Sequence, residues 1–203
     1  MASIRLSFDD GPGPSTMVLL DVLRAARCQA TFFLLGANLK QDMSAAAQMI
    51  RDGHTIGNHT YSHARPGDIT SAALADELEA TDALIYEAHR RAGHAMPEHI
   101  PVRLPYGAQV DDPRLPVLQK LGRSHMGWTA IFDDWRQPAP PPKRLVEDML
   151  RHIEDCVSQS RNALLCLHDS SRHHDSHPAT VDAVRLLLES PRYQALANDD
   201  LTS

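Results

Sequence analysis

The amino-acid sequence predicts an α/β fold built on a parallel sheet. Short apolar runs alternate with segments whose apolar residues recur at helical spacing, and the alternation continues along most of the chain. Each run is bounded by glycine, proline or polar residues, as is typical of strands in a buried sheet. A chain of 203 residues has the length of one ordinary domain, and we expect residues 1–203 to form a single domain.

The first strand and helix are predicted from residues 4–26. Ile4 to Phe8 alternates apolar with polar residues and stops at the turn signal Asp-Gly-Pro-Gly-Pro of residues 10–14. Ser15 follows as the expected N-cap of a helix that continues to about Ala26. The apolar face of this helix consists of Val18, Leu19, Val22 and Leu23.

Residues 30–91 contain two more pairs of a predicted strand and a following helix. The apolar run 30–35 ends at Gly36 and predicts a buried strand, after which a helix is expected over residues 43–51. Residues 54–59 predict the end of a third strand. Residues 70–91 predict a long helix, because Leu74, Leu78, Leu84 and Ile85 share one helical face.

Three more strands are predicted at residues 100–103, 124–129 and 162–167. They alternate with helical patterns at residues 113–121, 143–158 and 178–189. Four prolines between Pro138 and Pro142 predict a stiff surface loop, since the alternation resumes after them. Right-handed crossovers join the strands of such a sheet, and ligands collect at the carboxyl ends of the strands.

The composition excludes several classes of partner. The formal net charge of −6 offers no basic footprint for nucleic acid, and neutral or cationic substrates fit it better. No apolar run approaches the roughly 20 residues of a membrane helix, and nothing in the sequence implies a protein partner. Residues 1–6 lack the features of a secretory signal. We therefore expect either a cytoplasmic protein or a mature domain whose leader has been removed.

Polar residues that can carry chemistry follow several of the predicted strands. Asp9 and Asp10 are adjacent carboxylates at a strand end, so one can bind a metal while the other stays free as a base. His59 and His63 have the i, i+4 spacing that brings two imidazoles onto one side of a helical turn. Two histidines with one carboxylate leave coordination positions open for water, as a hydrolytic metal requires.

These residues belong to a set of motifs that resembles the polysaccharide deacetylases of the NodB-homology type, carbohydrate esterase family 4. Five motifs stand in the order of that family and span nearly the whole chain. They are Ser7-Phe8-Asp9-Asp10-Gly11-Pro12, His59-Thr60-Tyr61-Ser62-His63, Arg103-Leu104-Pro105-Tyr106, Asp134-Trp135 and Leu165-Cys166-Leu167-His168. Two positions depart from the family pattern, namely Ser7 in place of threonine and Ile131 in place of an acidic residue.

The resemblance implies a distorted (β/α) barrel of about seven units and a role for each motif residue. Asp10, His59 and His63 would hold one divalent metal ion, zinc in the first place and cobalt as the alternative. Asp9 would be the general base, paired with Arg103, and His168 the general acid, oriented by Asp134. The backbone N–H of Tyr106 would help to bind the oxyanion, while Trp135 and Leu167 would line the slot for the acetyl methyl group.

The function implied by the resemblance is removal of N-acetyl groups from a saccharide that contains N-acetylglucosamine, such as chitin oligomers or peptidoglycan glycan. An amide needs a Lewis acid at its oxygen, an activated water and a proton donor for nitrogen, and the motifs supply all three. The alternatives are an O-deacetylase of acetylated xylan and a non-catalytic saccharide-binding module. The family resemblance favours the cell envelope or the exterior as the location.

The histidine-rich segment, Trp128 and the cysteines are interpreted without a catalytic role. The histidine-rich residues 173–177 are interpreted as a solvated loop, with a place along the substrate groove as the alternative to be kept. Cys166 is interpreted as a core thiol and Trp128 as a packing residue. The three cysteines cannot all pair within one chain and are expected to be reduced.

Overall fold

The structure is a computed structural model that describes residues 2–198. Its strands are β1 (Ile4–Asp9), β2 (Ala30–Leu34), β3 (Thr55–Asn58), β4 (Ala130–Ile131) and β5 (Ala163–His168). Its helices are α1 (Thr16–Ala25), α2 (Gly36–Gln41), α3 (Met43–Arg51), α4 (Ser71–Ala92), α5 (Leu115–Lys120), α6 (Pro142–Ser158), α7 (Pro178–Glu189) and α8 (Pro191–Asn198), with one 3₁₀ turn at Asp133–Trp135.

The strands form a parallel sheet in the order β3-β2-β1-β5-β4. Two single parallel bridges extend it beyond β3, from Asn58 to Val102 and from Val102 to His125. The series therefore has seven strand segments. Its two outermost members, His125 and β4, are separated by only a few residues of chain, so the sheet curls into a distorted (β/α) barrel, as expected.

The main core packs on the outer face of the central strands. Leu6, Phe8, Phe32 and Leu165 are almost completely buried there against the apolar faces of α1, α3, α6 and α7. A second, smaller apolar cluster lies beneath α4 and α5 around Val102 and Leu104. Within residues 2–198, no helix combines the length and the apolar character needed to cross a bilayer.

The predicted strands at residues 100–103 and 124–129 are each reduced to one bridging residue, Val102 and His125. Pro101 has no N–H to donate, and the chain turns directly after Arg103, so neither segment can continue a ladder. Helices α2 and α8 were not predicted. The expected capping role of Ser15 is wrong, because its side chain makes no cap hydrogen bond and instead accepts one from the N–H of His177.

Candidate active site

Two neighbouring strands deliver the central side chains of the site. β1 and β5 pair in parallel with Asp9 opposite His168, at the last position of each strand. The loops that follow β2, β3 and β4 open at the same edge of the sheet, since all the strands run in one direction. The sequence motifs therefore meet at one rim although they lie far apart in the chain.

Asp9 is held by a network that centres on Arg103. The Arg103 Nη1 donates to Asp9 Oδ1 at 2.7 Å, and both side chains are almost fully buried. The same guanidinium donates to the Ser7 hydroxyl and to the carbonyls of Met126 and Gly127. The Cys166 thiol donates to the second oxygen of Asp9 at 3.3 Å. These donors fix the orientation of the carboxylate.

His168 forms a second buried pair with Asp134. The Nδ1 of His168 lies 3.0 Å from Asp134 Oδ1, and its backbone N–H donates to Oδ2 at 2.7 Å. The Thr180 hydroxyl also donates to Oδ2, so the carboxylate cannot rotate away from the ring. Burial lowers the pKa of His168, but the charge and hydrogen bond of Asp134 outweigh it and raise the pKa from 6.5 to about 9. His168 therefore carries a proton at neutral pH.

Asp10, His59 and His63 form a cluster of metal-ligand type. Asp10 Oδ1 lies 3.3 Å from His59 Nε2 and 3.2 Å from His63 Nε2. Ligand atoms from all three residues lie within 4.8 Å of one another. The two histidines do not share a helical turn, as their spacing suggested. They lie on an irregular loop after β3, in which Thr60 and His63 adopt positive φ angles.

The hydrogen bonds and charges of this cluster fit a bound cation. His59 Nδ1 lies 2.8 Å from the Arg103 carbonyl, which can only accept, so Nδ1 donates to this carbonyl and Nε2 faces Asp10. Asp10 Oδ1 is buried and receives no hydrogen bond from the described residues. The His59 ring nitrogen and the Asp10 oxygen therefore face each other, an arrangement that a divalent cation between them would stabilise.

The pKa values of Asp10 and His63 also fit a bound cation. Burial would raise the pKa of Asp10, but the adjacent imidazoles of His59 and His63 outweigh it and lower the pKa to about 2. Burial lowers the pKa of His63 to about 4, against the opposing charge of Asp10. At neutral pH the cluster thus presents one carboxylate and a neutral His63, the protonation states that metal ligands require.

A cavity of about 410 Å³ opens above these groups. Its floor carries Asp9, His168 and the three ligand-type residues. Its walls and mouth consist of Arg65, Tyr106, Trp128, Ile131, Trp135, Ser170, Ser171, Arg172, His173 and Asp175. Trp135 is half exposed at the mouth, and the Tyr106 ring packs against His63 with 4.6 Å between ring centroids. Tyr106 has a φ of 63°, which places it in a tight left-handed turn over the site.

The predicted place of Leu167 in the cavity wall is wrong. Successive side chains of a strand point to opposite faces, and on β5 the site face carries Cys166 and His168. Leu167 is fully buried on the other face, within the main core. Trp128 and Ile131 line the cavity instead, together with Trp135.

Two residues that were interpreted from the sequence as a core thiol and a packing residue, Cys166 and Trp128, belong to the site. Cys166 touches Asp9 and Arg103, and Trp128 forms part of the cavity wall. The strand alternation that contains His168 could have identified Cys166. Part of the histidine-rich loop lies along the cavity, as the groove alternative predicted. No sequence pattern signals Arg65 and Arg172, because their place at the cavity mouth depends on the course of two irregular loops.

The model of the polysaccharide deacetylase family matches residues 2–125, which is more than half of the chain. A chitooligosaccharide deacetylase from a Bradyrhizobium strain is 32% identical over 168 residues, or 82% of this chain and 70% of that protein. A peptidoglycan-N-acetylglucosamine deacetylase from Bacillus cereus is 32% identical over 136 residues, or 66% of this chain and 47% of that protein.

The fold is also similar to that of solved structures. A family 4 carbohydrate esterase from Streptomyces lividans, solved in complex with acetate, superposes with a TM-score of 0.73 at 25% identity and covers 98% of this chain and 89% of that one. The matched residues 2–125 contain the first three of the five motifs, from Ser7–Pro12 to Arg103–Tyr106. This chain belongs to the polysaccharide deacetylase family.

Proposed function

We propose that this protein is a metal-dependent hydrolase that removes N-acetyl groups from a saccharide containing N-acetylglucosamine and releases acetate. One observation carries the proposal. A carboxylate held by Arg103 and an imidazolium held by Asp134 stand side by side on adjacent strands, next to the Asp10, His59 and His63 cluster. A base, an acid and a cation site in one cavity are the parts that amide hydrolysis needs.

The chain supplies the proton transfers. Asp9 accepts a proton from the attacking water, whose oxygen adds to the acetamide carbonyl carbon. His168 then donates its Nε2 proton to the nitrogen, so the C–N bond breaks and the sugar leaves as a free amine. A divalent cation on Asp10, His59 and His63 would supply a Lewis acid for the carbonyl oxygen and the water. The buried pair with Arg103 orients the base, and the buried pair with Asp134 keeps the acid protonated before substrate arrives.

The cavity wall suits an acetyl group and its developing negative charge. The Tyr106 N–H, on the left-handed turn above the site, is the proposed donor to the oxyanion. Trp128, Ile131 and Trp135 provide the apolar surface against which the methyl group would pack. The names of two relatives, a chitooligosaccharide deacetylase and a peptidoglycan-N-acetylglucosamine deacetylase, support this substrate class.

Zinc is the cation that we propose first, with cobalt as the alternative, since two imidazoles and one carboxylate suit both. The decisive experiment measures acetate release from N-acetylglucosamine oligomers by metal-free protein, before and after stoichiometric Zn²⁺ or Co²⁺ is added. We expect release only with metal. Binding of one ion per chain without release of acetate from any oligomer would contradict the proposal, and acetate from acetylated xylan alone would select the ester substrate.

The roles of base and acid are tested by substitution. Asp9→Asn and His168→Ala are each expected to lower kcat at least about 100-fold, the usual contribution of a positioned proton-transfer group. Asp148→Asn, which changes a half-buried carboxylate on α6 outside the cavity, is the control and should leave kcat unchanged. If both site variants kept full activity, the assignment of base and acid would be wrong.

A further inference from the structure

Two arginines at the mouth of the cavity have no carboxylate partner. Most arginines in the described part of the chain form an ion pair with an aspartate or glutamate. Arg65 and Arg172 form none with any residue between positions 2 and 198, although both are exposed and both line the cavity. Their charges are therefore available to a molecule that enters the site.

Contacts with neighbouring rings orient both guanidinium groups. Arg65 lies over the Tyr106 ring, with its central carbon 5.3 Å from the ring centroid, so the edge of the guanidinium remains free. Arg172 donates through Nε to His173 Nε2 at 3.1 Å, which leaves its terminal nitrogens free. The two arginines belong to the loops that follow β3 and β5, the same loops that carry His63 and extend from His168.

The acidic groups of the cavity are already engaged. Asp9 is paired with Arg103, and Asp10 belongs to the ligand cluster. Asp175, which also lines the cavity, accepts a hydrogen bond from the Ser171 hydroxyl at 2.6 Å and pairs with neither arginine. The mouth therefore offers two unpaired cations, although the whole chain has a net charge of −6.

On the basis of the deacetylase function above, we propose that the substrate is an anionic glycan, with a carboxylate on a sugar next to the N-acetylglucosamine that is hydrolysed. A guanidinium binds a carboxylate through two parallel hydrogen bonds, whereas a neutral chitin oligomer offers it only hydroxyl and amide groups. The net charge of −6 alone favours neutral or cationic substrates, and the proposal differs from that expectation. Direct contacts at the mouth act over distances shorter than the Debye length, whereas salt screens the charges on the rest of the surface.

The test compares three tetrasaccharides: one of N-acetylglucosamine alone, one in which it alternates with N-acetylmuramic acid, and one in which it alternates with glucuronic acid. We expect kcat/KM to be about tenfold higher for a carboxylate-bearing tetrasaccharide than for the neutral one, and this advantage to fall with added salt. The two anionic substrates show whether the carboxylate comes from a lactyl ether or from a uronic acid. Equal or higher kcat/KM for the neutral tetrasaccharide would overturn the proposal.

Substitutions test whether the two arginines act specifically on the carboxylate of the substrate. Arg65→Gln and Arg172→Gln should each raise KM for the anionic substrate about three- to tenfold, a larger increase than for the neutral one, because glutamine keeps hydrogen-bond donors but loses the charge. Arg144→Gln removes the same charge from α6, outside the cavity, and serves as the matched control. An equal rise in KM for the neutral and the anionic substrate would show that the arginines do not recognise a carboxylate.

A binding measurement on an inactive variant tests this inference independently of the deacetylase proposal. Calorimetric titration of the zinc-loaded Asp9→Asn variant with each tetrasaccharide is expected to show tighter binding of a carboxylate-bearing one. That preference without acetate release by the wild type would support the anionic ligand and contradict the hydrolase. Tighter binding of the neutral tetrasaccharide would overturn the anionic ligand whatever the activity.

Discussion

Arg103 connects three separate parts of the chain through one guanidinium group. It is fully buried and donates to Asp9, to Ser7 and to the carbonyls of Met126 and Gly127, while its central carbon lies 4.0 Å above the Phe33 ring. A charge buried at this depth is stable only because each donor has a partner. The residue that orients the base is therefore also a structural residue.

Arg103→Gln should accordingly lower stability as well as activity. The substitution leaves the Asp9 carboxylate buried without its ion pair, and we expect a loss of about 3–5 kcal/mol in the free energy of unfolding. Urea denaturation monitored by circular dichroism measures this loss. Arg185→Gln, which breaks an exposed pair with Asp182, should change stability by less than about 0.5 kcal/mol. An unchanged urea midpoint for Arg103→Gln would show that the buried pair contributes nothing.

If His168 is the general acid, as we propose, its proton sets the alkaline limit of activity. Its pKa is raised from 6.5 to about 9 because Asp134 outweighs burial, so the acid form is present at pH 7 and is lost as the pH rises through this range. A cation on the neighbouring cluster repels the imidazolium and opposes the rise. We therefore expect the alkaline limb of kcat against pH to have an apparent pKa between 6.5 and about 9.

Asp134→Asn removes the charge that raises this pKa. The alkaline limb should move to lower pH, and kcat at pH 8 should fall about tenfold or more. Thr180→Val deletes a hydrogen bond to the same carboxylate but keeps its charge, so its limb should stay close to that of the wild type. A limb that does not move in Asp134→Asn would exclude His168 as the titrating acid.

The elements that were predicted correctly are those whose sequence pattern is local. β1, α3 and α7 end within one residue of their predicted limits, because alternation and helical spacing are local properties of the chain. The segments 100–103 and 124–129 depend on partners far away in sequence, and the six residues of α2 are too few to show a period. The face of β5 could be predicted from His168 alone, whereas the arginines at the mouth could not.

Helix α4 offers a test of capping at its first turn. The Thr70 hydroxyl accepts a hydrogen bond from the N–H of Ala73 and so satisfies one donor at the start of this 22-residue helix. Thr70→Ala should lower the free energy of unfolding by about 1 kcal/mol and leave kcat unchanged. Thr70→Ser retains the hydroxyl and should restore most of the loss. Equal stability of the alanine and serine variants would contradict a cap at this position.

At the scale of the whole molecule, folding and cation binding are separable. Asp10, His59 and His63 lie outside the apolar core, which is formed by the central strands and the helices around them. Metal-free protein should therefore keep its far-ultraviolet circular dichroism spectrum. Zinc at about 100 times its Kd should add about 2.7 kcal/mol of stability, because it binds only the folded chain.

The matched variants for this prediction are Asp10→Asn and Asp148→Asn. The first removes a proposed ligand and should abolish the rise in the thermal unfolding midpoint on addition of zinc. The second removes a half-buried carboxylate from α6, outside the cation cluster, and should show the full rise. Loss of the spectrum on chelation, or an undiminished rise in Asp10→Asn, would contradict the proposed site.

The central position of β1 has a consequence for biosynthesis. β1 leaves the ribosome well before its partner β5, which ends about 160 residues later in the chain. At roughly 5–20 residues per second, the ribosome needs on the order of ten seconds to supply the second partner. During that interval one edge of the innermost strand has no native neighbour, and an unpaired edge can recruit a strand of another nascent chain. Slower translation would lengthen this period of vulnerability.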